Sequence, residues 1–368
     1  MKDARPIPVA EAVARLDEFD AILDARSPGE HAEDHLPGAI STPVLSDAER
    51  ARVGTLHKQQ GAFEAKRVGA ALVSRNIAAI LEGPLADAPR GWRPLVYCWR
   101  GGNRSGALAT VLARVGWQVS VLEGGYREFR RHVIADLSAW PAGLRFVVVA
   151  GRTGSGKSLM LERLAADGAQ VLDLEQLARH RGSVLGHLPD EPQPSQKRFE
   201  TLLWERMRRF DPQRPVFVES ESRKVGQCQV PEQLILRMRA SPCAIVEAQD
   251  AVRARLLVGE YGHFVADPAL LASRLAALVP LHGAARIDEW MSLAQAGQWT
   301  EFVTALLREH YDPAYDRSIR RNFARVDEAP RVVLAGTDDA ALGVAAAELA
   351  ALGESLGESV AGAEPGRG

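Results

Sequence analysis

Short apolar runs alternate with longer amphipathic stretches in the first third of the chain. The pattern predicts strands at residues 21–23 and 95–98 and in "GWQVSVLEGG", and helices over residues 49–81 and 105–115. A further short strand is predicted in "HLPGAISTPV". Strands that alternate with helices favour a mostly parallel sheet covered on both faces. This part of the chain is therefore predicted to form an α/β domain.

A second alternation begins after the loop-like stretch "LSAWPAGLR". It predicts strands at 146–150, 170–173, 215–219 and 243–247 and helices at 157–166, 195–210 and 231–239. Beyond residue 265 the pattern is mainly helical, with a last strand in "RVVLAG", and "ESLGESVAGAEPGRG" has the composition of a frayed tail. A chain of 368 residues can form two cores. We predict two domains, over residues 1–138 and 139–368.

Composition narrows the class of protein. The net charge of −2 gives no overall basic field, so nucleic-acid binding would need a local patch. The odd number of cysteines, three, argues against a disulfide framework, and their spacing does not suit zinc. Reduced thiols favour a cytoplasmic location. No stretch resembles a signal peptide or the ~20 apolar residues of a membrane span, so no membrane partner is expected.

One loop is suited to both a thiol and an anion. In "LVYCWRGGNRSGALATVL", Cys98 stands at the end of a predicted strand, before a predicted helix. Backbone N–H groups, the helix dipole, Arg100 and Arg104 would stabilise a thiolate there and bind an oxyanion. The alternative is a small buried side chain at a strand end. The rest of the anion loop is Trp99, Gly101, Gly102, Asn103 and Ser105.

A second loop has the pattern of a phosphate-binding loop. "GRTGSGKS" matches G-x-x-x-x-G-K-S between a predicted strand and a predicted helix. Its backbone N–H groups would cradle phosphate, Lys157 would neutralise charge, and Ser158 could reach a metal ion. Glu219 ends another predicted strand, where a carboxylate orienting Mg²⁺ or water is expected; a solvated strand end is the alternative. The predicted phosphate-binding residues are Gly151, Gly154, Ser155, Gly156, Lys157 and Ser158.

Two stretches are locally basic. In "DRSIRRNFAR", Arg317, Arg321 and Arg325 follow one another at helical spacing beside Arg320, and this stripe is predicted to contact the phosphates of a nucleic acid. "QKRFETLLWERMRRF" is a second candidate. The alternative for both is a solvated helix face.

Several motifs resemble known families. "ILDARSPGEHAEDHLPGAI", "YCWRGGNRS" and "LEGGYREF" resemble the motifs of rhodanese domains, although the usual loop is C-x-x-G-x-R-S and this one has an extra residue between Cys98 and Arg104. The longer loop suits a larger, tetrahedral anion. "ERARVGTLHKQQGAFEA", "VFVESESRKVG" and "HYDPAYDRS" resemble linking segments of the tRNA 2-selenouridine synthase family. With the order of the two loops, they extend the resemblance from about residue 20 to about residue 320.

The resemblance implies a rhodanese-like parallel-sheet domain followed by a P-loop NTPase-like α/β domain with a mainly helical C-terminal part. It implies a transferase that converts 2-thiouridine at the wobble position of tRNA into 2-selenouridine. Geranyl diphosphate would first alkylate the sulfur, and selenophosphate would then supply selenium. The expected catalytic residues are Cys98, Arg100, Arg104, Lys157 and Glu219, with Mg²⁺ at Ser158 and Glu219. Cys98 would carry selenium as a perselenide or, alternatively, attack C2 of the alkylated base.

Three other functions are open. The first is a thiosulfate sulfurtransferase coupled to a P-loop ATPase. The second is a nucleotide-dependent scaffold with an inactive rhodanese fold, which the intact Cys98 and Arg104 disfavour. The third is a cysteine phosphatase, which the C-x₅-R spacing allows; Tyr97 stands where such enzymes usually have a histidine.

Overall fold

The structure is a computed structural model in which residues 3–182 and 191–361 are described. The chain forms two compact units, Met1–Asp136 with Pro194–Glu205, and Leu137–Gln193 with Arg206–Gly368. The sequence assigns residues 194–205 to the second domain, whereas the structure places them in the first unit. Hydrophobic periodicity shows which face of a helix is buried but not which sheet covers that face.

The elements alternate as the α/β prediction requires. The strands are β1 (Arg5–Ile7), β2 (Ala21–Asp24), β3 (Ala39–Ser41), β4 (Pro94–Tyr97), β5 (Ser120–Leu122), β6 (Arg145–Ala150), β7 (Gln170–Leu172), β8 (Pro215–Glu219), β9 (Lys224–Val225), β10 (Cys228–Gln229), β11 (Cys243–Glu247) and β12 (Arg331–Val333). The helices are α1 (Val9–Ala14), α2 (Pro28–Glu33), α3 (Asp47–Gln59), α4 (Ala62–Glu82), α5 (Asn103–Val115), α6 (Gly125–Ala139), α7 (Lys157–Ala166), α8 (Leu174–Ala178), α9 (Gln196–Met207), α10 (Glu232–Ala240), α11 (Asp250–Glu260), α12 (Gly262–Ala266), α13 (Pro268–Leu275), α14 (Val279–His282), α15 (Ala284–Gln295), α16 (Trp299–Leu306), α17 (Asp312–Asn322) and α18 (Asp339–Ala361).

The first unit contains a five-stranded sheet in the order β1-β5-β4-β2-β3. Every strand pair is parallel, and the middle strand β4 is buried along its whole length. The single helix predicted over residues 49–81 is two helices, because Gly61 adopts a φ of 95° that a helix cannot continue through. Ser46 and Glu49 form a capping box that starts α3.

Helix α9 completes the core of the first unit although it lies about 60 residues beyond α6 in the sequence. Trp204 is fully buried, packs edge-on against the Phe129 ring and donates a 2.8 Å hydrogen bond to Asp136. Thr201 donates to the buried carboxylate of Asp34 at 2.9 Å. These contacts anchor the helix to the sheet that carries Cys98.

The second unit has its own five-stranded parallel sheet, in the order β12-β11-β6-β8-β7, and a separate two-stranded antiparallel pair, β9 and β10. The frayed tail predicted from residue 354 is wrong as far as residue 361, because α18 continues to that point. Leu349 of α18 is fully buried in the core of the second unit. Within the described residues, no helix combines the length and the apolar character that a membrane crossing requires.

The assignment of α9 to the first unit can be tested by replacing Trp204 with alanine. Removing a fully buried indole should cost about 3–5 kcal/mol of stability. Hydrogen-exchange mass spectrometry should therefore show faster amide exchange in β2, β4 and β5. Trp290→Ala is the matched control, because Trp290 is fully buried in the second unit and should accelerate exchange there instead. Faster exchange mainly in β6 and β8 of Trp204→Ala would contradict the assignment.

Candidate functional site

The predicted thiol loop joins β4 to α5. Cys98 follows the last residue of the middle strand, and its side chain is almost completely buried. The Ser105 hydroxyl donates a 3.1 Å hydrogen bond to the Cys98 sulfur. Burial alone would raise the pKa of the Cys98 thiol. Hydrogen bonds from the Ser105 hydroxyl and from the backbone of Ser105, Arg100 and Gly102 outweigh burial and lower that pKa below its ordinary value.

The start of α6 holds this loop in place. The backbone N–H groups of Tyr126 and Arg127 donate to the carbonyls of Cys98 and Trp99 at 2.8 and 3.0 Å. Gly125 has a φ of 60°, and a Cβ there would collide with the Cys98 carbonyl. The segment "LEGGYREF" therefore needs glycine at this position, because the backbone itself forms the wall of the loop.

The two arginines predicted to attract an anion have different environments. Arg104 pairs with Glu30 at 2.6 Å, and Glu30 also accepts hydrogen bonds from Ser27 at the start of α2. The positive charge of Arg104 is thus largely compensated, whereas Arg100 is exposed within the loop. The anion-binding capacity of the loop therefore rests on its N–H groups and Arg100.

The other predicted loop residues have distinct surroundings. Trp99 packs against the Tyr126 ring, with centroids 5.4 Å apart, so its packing contact is present in the structure. Gly101 has a φ of 67°, and a Cβ there would lie 2.8 Å from the carbonyl oxygen of Leu122. Gly102 and Asn103 are exposed where α5 begins. The glycines therefore shape the loop, and Asn103 remains open to solvent.

A buried ion pair in the first unit supports the thiol loop. The sequence alone did not indicate a role for this pair. Arg26 pairs with Asp24 at 2.6 Å, and its guanidinium lies 3.9 Å from the centroid of the Tyr126 ring. Tyr126 in turn donates to Asp34 at 2.8 Å, the carboxylate that α9 also contacts. The opening motif "ILDARSPGEHAED" could have indicated this pair, since a charged residue at the end of a buried strand needs a partner.

The phosphate loop lies between β6 and α7, as predicted. Gly154 and Gly156 adopt φ angles of 76° and 88°, which favour glycine. The Lys157 ammonium donates to the Gly151 carbonyl at 2.6 Å, and the Gly151 N–H donates to the Tyr315 hydroxyl at 2.6 Å. Tyr315 belongs to "HYDPAYDRS", so this C-terminal motif contacts the loop directly.

A cavity of about 650 Å³ opens at the phosphate loop within the second unit. Lys157 and Ser158 line it, as predicted, and so do Asp173, Glu175 and Glu221. Its lining includes Glu221 rather than the predicted Glu219.

The Glu219 side chain lies deeper in the protein. It is almost fully buried, and its Oε1 accepts the Glu175 N–H at 2.9 Å. Its Oε2 has no hydrogen-bond partner. No group of three or more His, Cys, Asp or Glu side chains in residues 3–182 and 191–361 is arranged to hold a metal ion.

Burial controls the charges around this cavity. It raises the pKa of Glu219 well above its ordinary value, and burial with repulsion from Glu221 raises the pKa of Glu175 to about 8. The pKa of Glu221 is also raised, mainly by burial. Burial lowers the pKa of Lys157, although the three carboxylates oppose this shift. Glu175 therefore retains its proton near neutral pH, and the pKa values of Glu219 and Glu221 are shifted in the same direction.

An apolar recess lies next to the phosphate cavity in the same unit. The two share the lining residues Thr153, Leu257, Tyr261 and Tyr311. The rest of the recess is lined by side chains from α11 to α16 and the segment after it: Val258, Phe264, Val265, Leu271, Trp299, Phe302, Val303, Leu306 and Leu307. The volume of the recess is about 50 Å³, so in this structure it has room for only a few carbon atoms of a ligand whose charged end lies in the phosphate cavity. The sequence alone does not reveal this recess, because its residues lie on separate helices.

The first basic stripe is shorter than predicted. Arg317, Arg320 and Arg321 are exposed on α17. The prediction that Arg325 extends the stripe by a further turn is wrong, because the helix ends at Asn322 and Arg325 is half-buried beyond it. Phe323 is buried at that end and has an extended backbone.

Three cations of the second basic stretch are each paired with an acceptor in their own unit of the protein. Lys197 pairs with Glu33 at 2.7 Å, and Arg198 donates to the His35 carbonyl at 3.1 Å. Arg206 donates to the Val171 carbonyl at 2.9 Å. These three cations therefore do not form a free basic face.

Comparison with known proteins identifies the same two parts of the chain that carry the thiol loop and the phosphate loop. Residues 8–132 match the family described as "Rhodanese-like domain", and residues 144–272 match the "tRNA 2-selenouridine synthase AAA domain". The tRNA 2-selenouridine synthase of Aeromonas salmonicida is 35% identical over 339 residues, which cover 84% of this chain and 90% of that protein. The protein of that name from Cupriavidus necator is 34% identical over 86% of this chain and 91% of its own length. The tRNA 2-selenouridine synthase of Nitrosomonas europaea is 34% identical over a region that covers 70% of this chain and 67% of that protein.

The chain belongs to the tRNA 2-selenouridine synthase family. The matched AAA domain of this family includes residues 194–205, which the structure places with the rhodanese-like unit. Sequence boundaries and structural boundaries therefore differ at α9 in this member of the family.

The hydrogen bond from Ser105 predicts the pH dependence of Cys98. Ser105→Ala removes a group that lowers the thiol pKa, so the pKa of Cys98 should rise. In a Cys228→Ala, Cys243→Ala background, the rate of iodoacetamide alkylation against pH should shift its midpoint to higher pH. Ser138→Ala, a serine change on α6, is the control. An unchanged midpoint in Ser105→Ala would show that the hydroxyl does not stabilise the thiolate.

Proposed function

We propose that this protein modifies tRNA by converting 2-thiouridine at the wobble position into 2-selenouridine. The names of its relatives state the product, and the two sites described above supply chemistry for two steps. Geranyl diphosphate alkylates the sulfur in the first step, and selenophosphate supplies selenium in the second. The observation that carries this proposal is the apolar recess beside the phosphate cavity, since hydrolysis of a nucleotide alone does not need a hydrocarbon site.

Alkylation takes place in the second unit. The thiocarbonyl sulfur of the base attacks C1 of the geranyl group, the C–O bond breaks, and diphosphate leaves with the electron pair. The base loses the proton on N3, so the product is neutral. The loop N–H groups and Lys157 stabilise the negative charge that develops on the leaving group. The geranyl chain lies against the apolar recess.

A divalent cation suits this leaving group. The Ser158 hydroxyl lines the cavity, and Mg²⁺ is commonly held by one or two protein oxygens together with phosphate oxygens. Ser158 would hold the ion together with the diphosphate, and Glu221 rather than Glu219 lines the cavity. When bound, Mg²⁺ supplies further charge neutralisation to the diphosphate.

Replacing Lys157 by alanine should abolish alkylation and leave selenium insertion intact. Loss of the ammonium should lower the rate of geranyl transfer to 2-thiouridine tRNA by at least about 100-fold. Mass spectrometry of tRNA nucleosides measures both steps. Selenium insertion into pre-geranylated tRNA is the internal control for the first unit, and an unchanged thermal melting curve reports that the second unit, which contains Lys157, is folded. Parental geranylation by a folded Lys157→Ala variant would remove the phosphate loop from this step.

Selenium insertion takes place in the first unit. Overall, selenophosphate, one water and the S-geranylated base give 2-selenouridine, geranylthiol and phosphate. The geranylthio group leaves because alkylation converts a poor leaving group into a thiol. Cys98 is the nucleophile: the thiolate that the loop stabilises attacks C2 of the alkylated base, geranylthiol leaves with a proton, and selenide-level selenium from selenophosphate then displaces the Cys98 sulfur from C2. The alternative, a perselenide on Cys98, would need a two-electron oxidant, because selenophosphate that ends as phosphate delivers selenium at the selenide level. Arg100 and the loop N–H groups bind the anionic donor.

Cys98→Ser should stop selenium insertion without stopping alkylation. A serine hydroxyl is not ionised near neutral pH and is a far weaker nucleophile. Incubation with 2-thiouridine tRNA, geranyl diphosphate and selenophosphate should therefore accumulate geranylated tRNA, detected by mass spectrometry. Cys228→Ser and Cys243→Ser are controls, because burial raises the pKa of both thiols. Near-parental 2-selenouridine from pre-geranylated tRNA with Cys98→Ser would exclude the thiol as nucleophile.

The partner RNA needs a positive surface. Arg317, Arg320 and Arg321 on α17 are the exposed cations proposed to contact tRNA phosphates in the second unit. The cytoplasmic location expected from the reduced thiols is part of the same proposal.

A further inference from the structure

The helical hairpin formed by α3 and α4 has a surface that the core of the first unit does not explain. None of the 13 residues of α3 is buried. The helix packs against α4, with side chains such as Val53 and Leu56 half-buried, and the rest of its surface is open to solvent. The hairpin tip, defined as residues 57–67, connects the two helices around Gly61 and is almost entirely exposed.

Charges on the hairpin are unevenly compensated. Its carboxylates have local partners: Asp47 accepts the Gly29 N–H at 2.9 Å, Glu49 accepts the Ser46 N–H at 2.8 Å, and Glu64 pairs with Arg67. The exposed cations Arg52, Lys58 and Lys66 make no ion pair or hydrogen bond with any described residue. The hairpin tip is therefore locally positive in a chain whose net charge is −2.

The hairpin tip also carries an aromatic ring in solvent. Phe63 is 76% exposed, more than any other large apolar side chain in the described part of the chain. The amide side chains of Gln59 and Gln60 are exposed next to it in the sequence. An exposed aromatic ring among cations and amides matches the way proteins bind unpaired RNA, where bases stack on rings and phosphates contact Lys or Arg.

The base of the hairpin reaches the rim of the thiol loop. Arg50 lies 3.8 Å from Glu30, and the same carboxylate pairs with Arg104 directly after the loop. From Arg50 to Lys58 the helix rises by about 12 Å. A strand of RNA bound at the hairpin tip is thus within a short distance, along one helix, of the loop that contains Cys98.

We propose that the hairpin tip binds a single-stranded segment of RNA, with one base stacked on Phe63 and phosphates contacted by Lys58 and Lys66. The segment is the part of the anticodon loop that flanks the nucleotide presented to the Cys98 loop. The identity of this RNA rests on the proposed function, whereas the mode of binding rests on the hairpin itself.

Binding of a synthetic RNA hairpin with an anticodon stem and loop tests the proposal, with the fully paired stem duplex as second probe. In Lys58→Gln/Lys66→Gln, the slope of log affinity against log salt should fall by about 1.4, since each single-strand phosphate contact contributes ~0.7. Arg5→Gln/Arg90→Gln is the matched control, because both arginines are exposed in the same unit and neither forms an ion pair in its described part. Its slope should stay parental.

Variants of Phe63 test base stacking independently of the charge contribution to RNA binding. Phe63→Ala should bind the hairpin RNA about 5- to 150-fold more weakly with an unchanged salt slope, and Phe63→Trp should restore parental affinity. Neither change should alter binding of the paired duplex. Thermal melting of each variant should stay parental, because the side chain is exposed.

The outcomes distinguish this proposal from the proposed function. One outcome is that the parental protein binds RNA and all variants of the hairpin tip bind it equally well. The α3–α4 hairpin is then not an RNA-binding site, while the proposed function stands. A tip variant with parental RNA binding and an altered oligomeric state would assign the surface to a protein contact and overturn the proposal. If Phe63→Ala lost equal affinity for the paired RNA duplex and for the RNA stem-loop, stacking of an unpaired base on Phe63 would be overturned. A parental protein that binds no RNA would overturn both.

Discussion

Parallel pairing of every strand in the two main sheets determines where chemistry can occur in this protein. In a parallel sheet the carboxyl ends of all strands meet at one edge, and the following helices begin there with their N–H groups unpaired. The thiol loop follows β4 and the phosphate loop follows β6, which are the middle strands of their sheets. Each loop therefore has a neighbouring strand on both sides, and these strands supply surrounding groups such as Asp24 and Glu219.

The same element of architecture produces opposite electrostatic results in the two loops. Around Cys98, hydrogen bonds outweigh burial, and the thiol loses its proton more readily than usual. Around Lys157, burial outweighs attraction, so Glu175 keeps its proton to a higher pH than usual and the ammonium of Lys157 loses its own more readily. The difference arises because the carboxylates near the thiol loop, Glu30 and Asp24, are each paired with an arginine, whereas several acidic side chains lie together beside Lys157.

Sequence patterns were sufficient for features that depend on neighbouring residues. The strand–loop–helix order around Cys98 and around Lys157 was predicted, and so were most strands, because periodicity and glycine spacing are local. Sequence patterns did not predict that Glu221, rather than Glu219, lines the phosphate cavity. Which of the two carboxylates faces the cavity depends on how the chain turns after β8. Nor did these patterns indicate that α9 joins the first unit or that α17 ends before Arg325, because both depend on contacts distant in sequence.

The protons retained around the phosphate loop make anion binding there a coupled equilibrium. An anion that enters the cavity adds negative charge beside Glu175, whose pKa is already about 8, and so raises that pKa further. By linkage, the anion binds together with protons, and its affinity falls as the pH rises through about 8. The cavity would thus take up protons from solvent whenever such an anion binds and release them when it leaves.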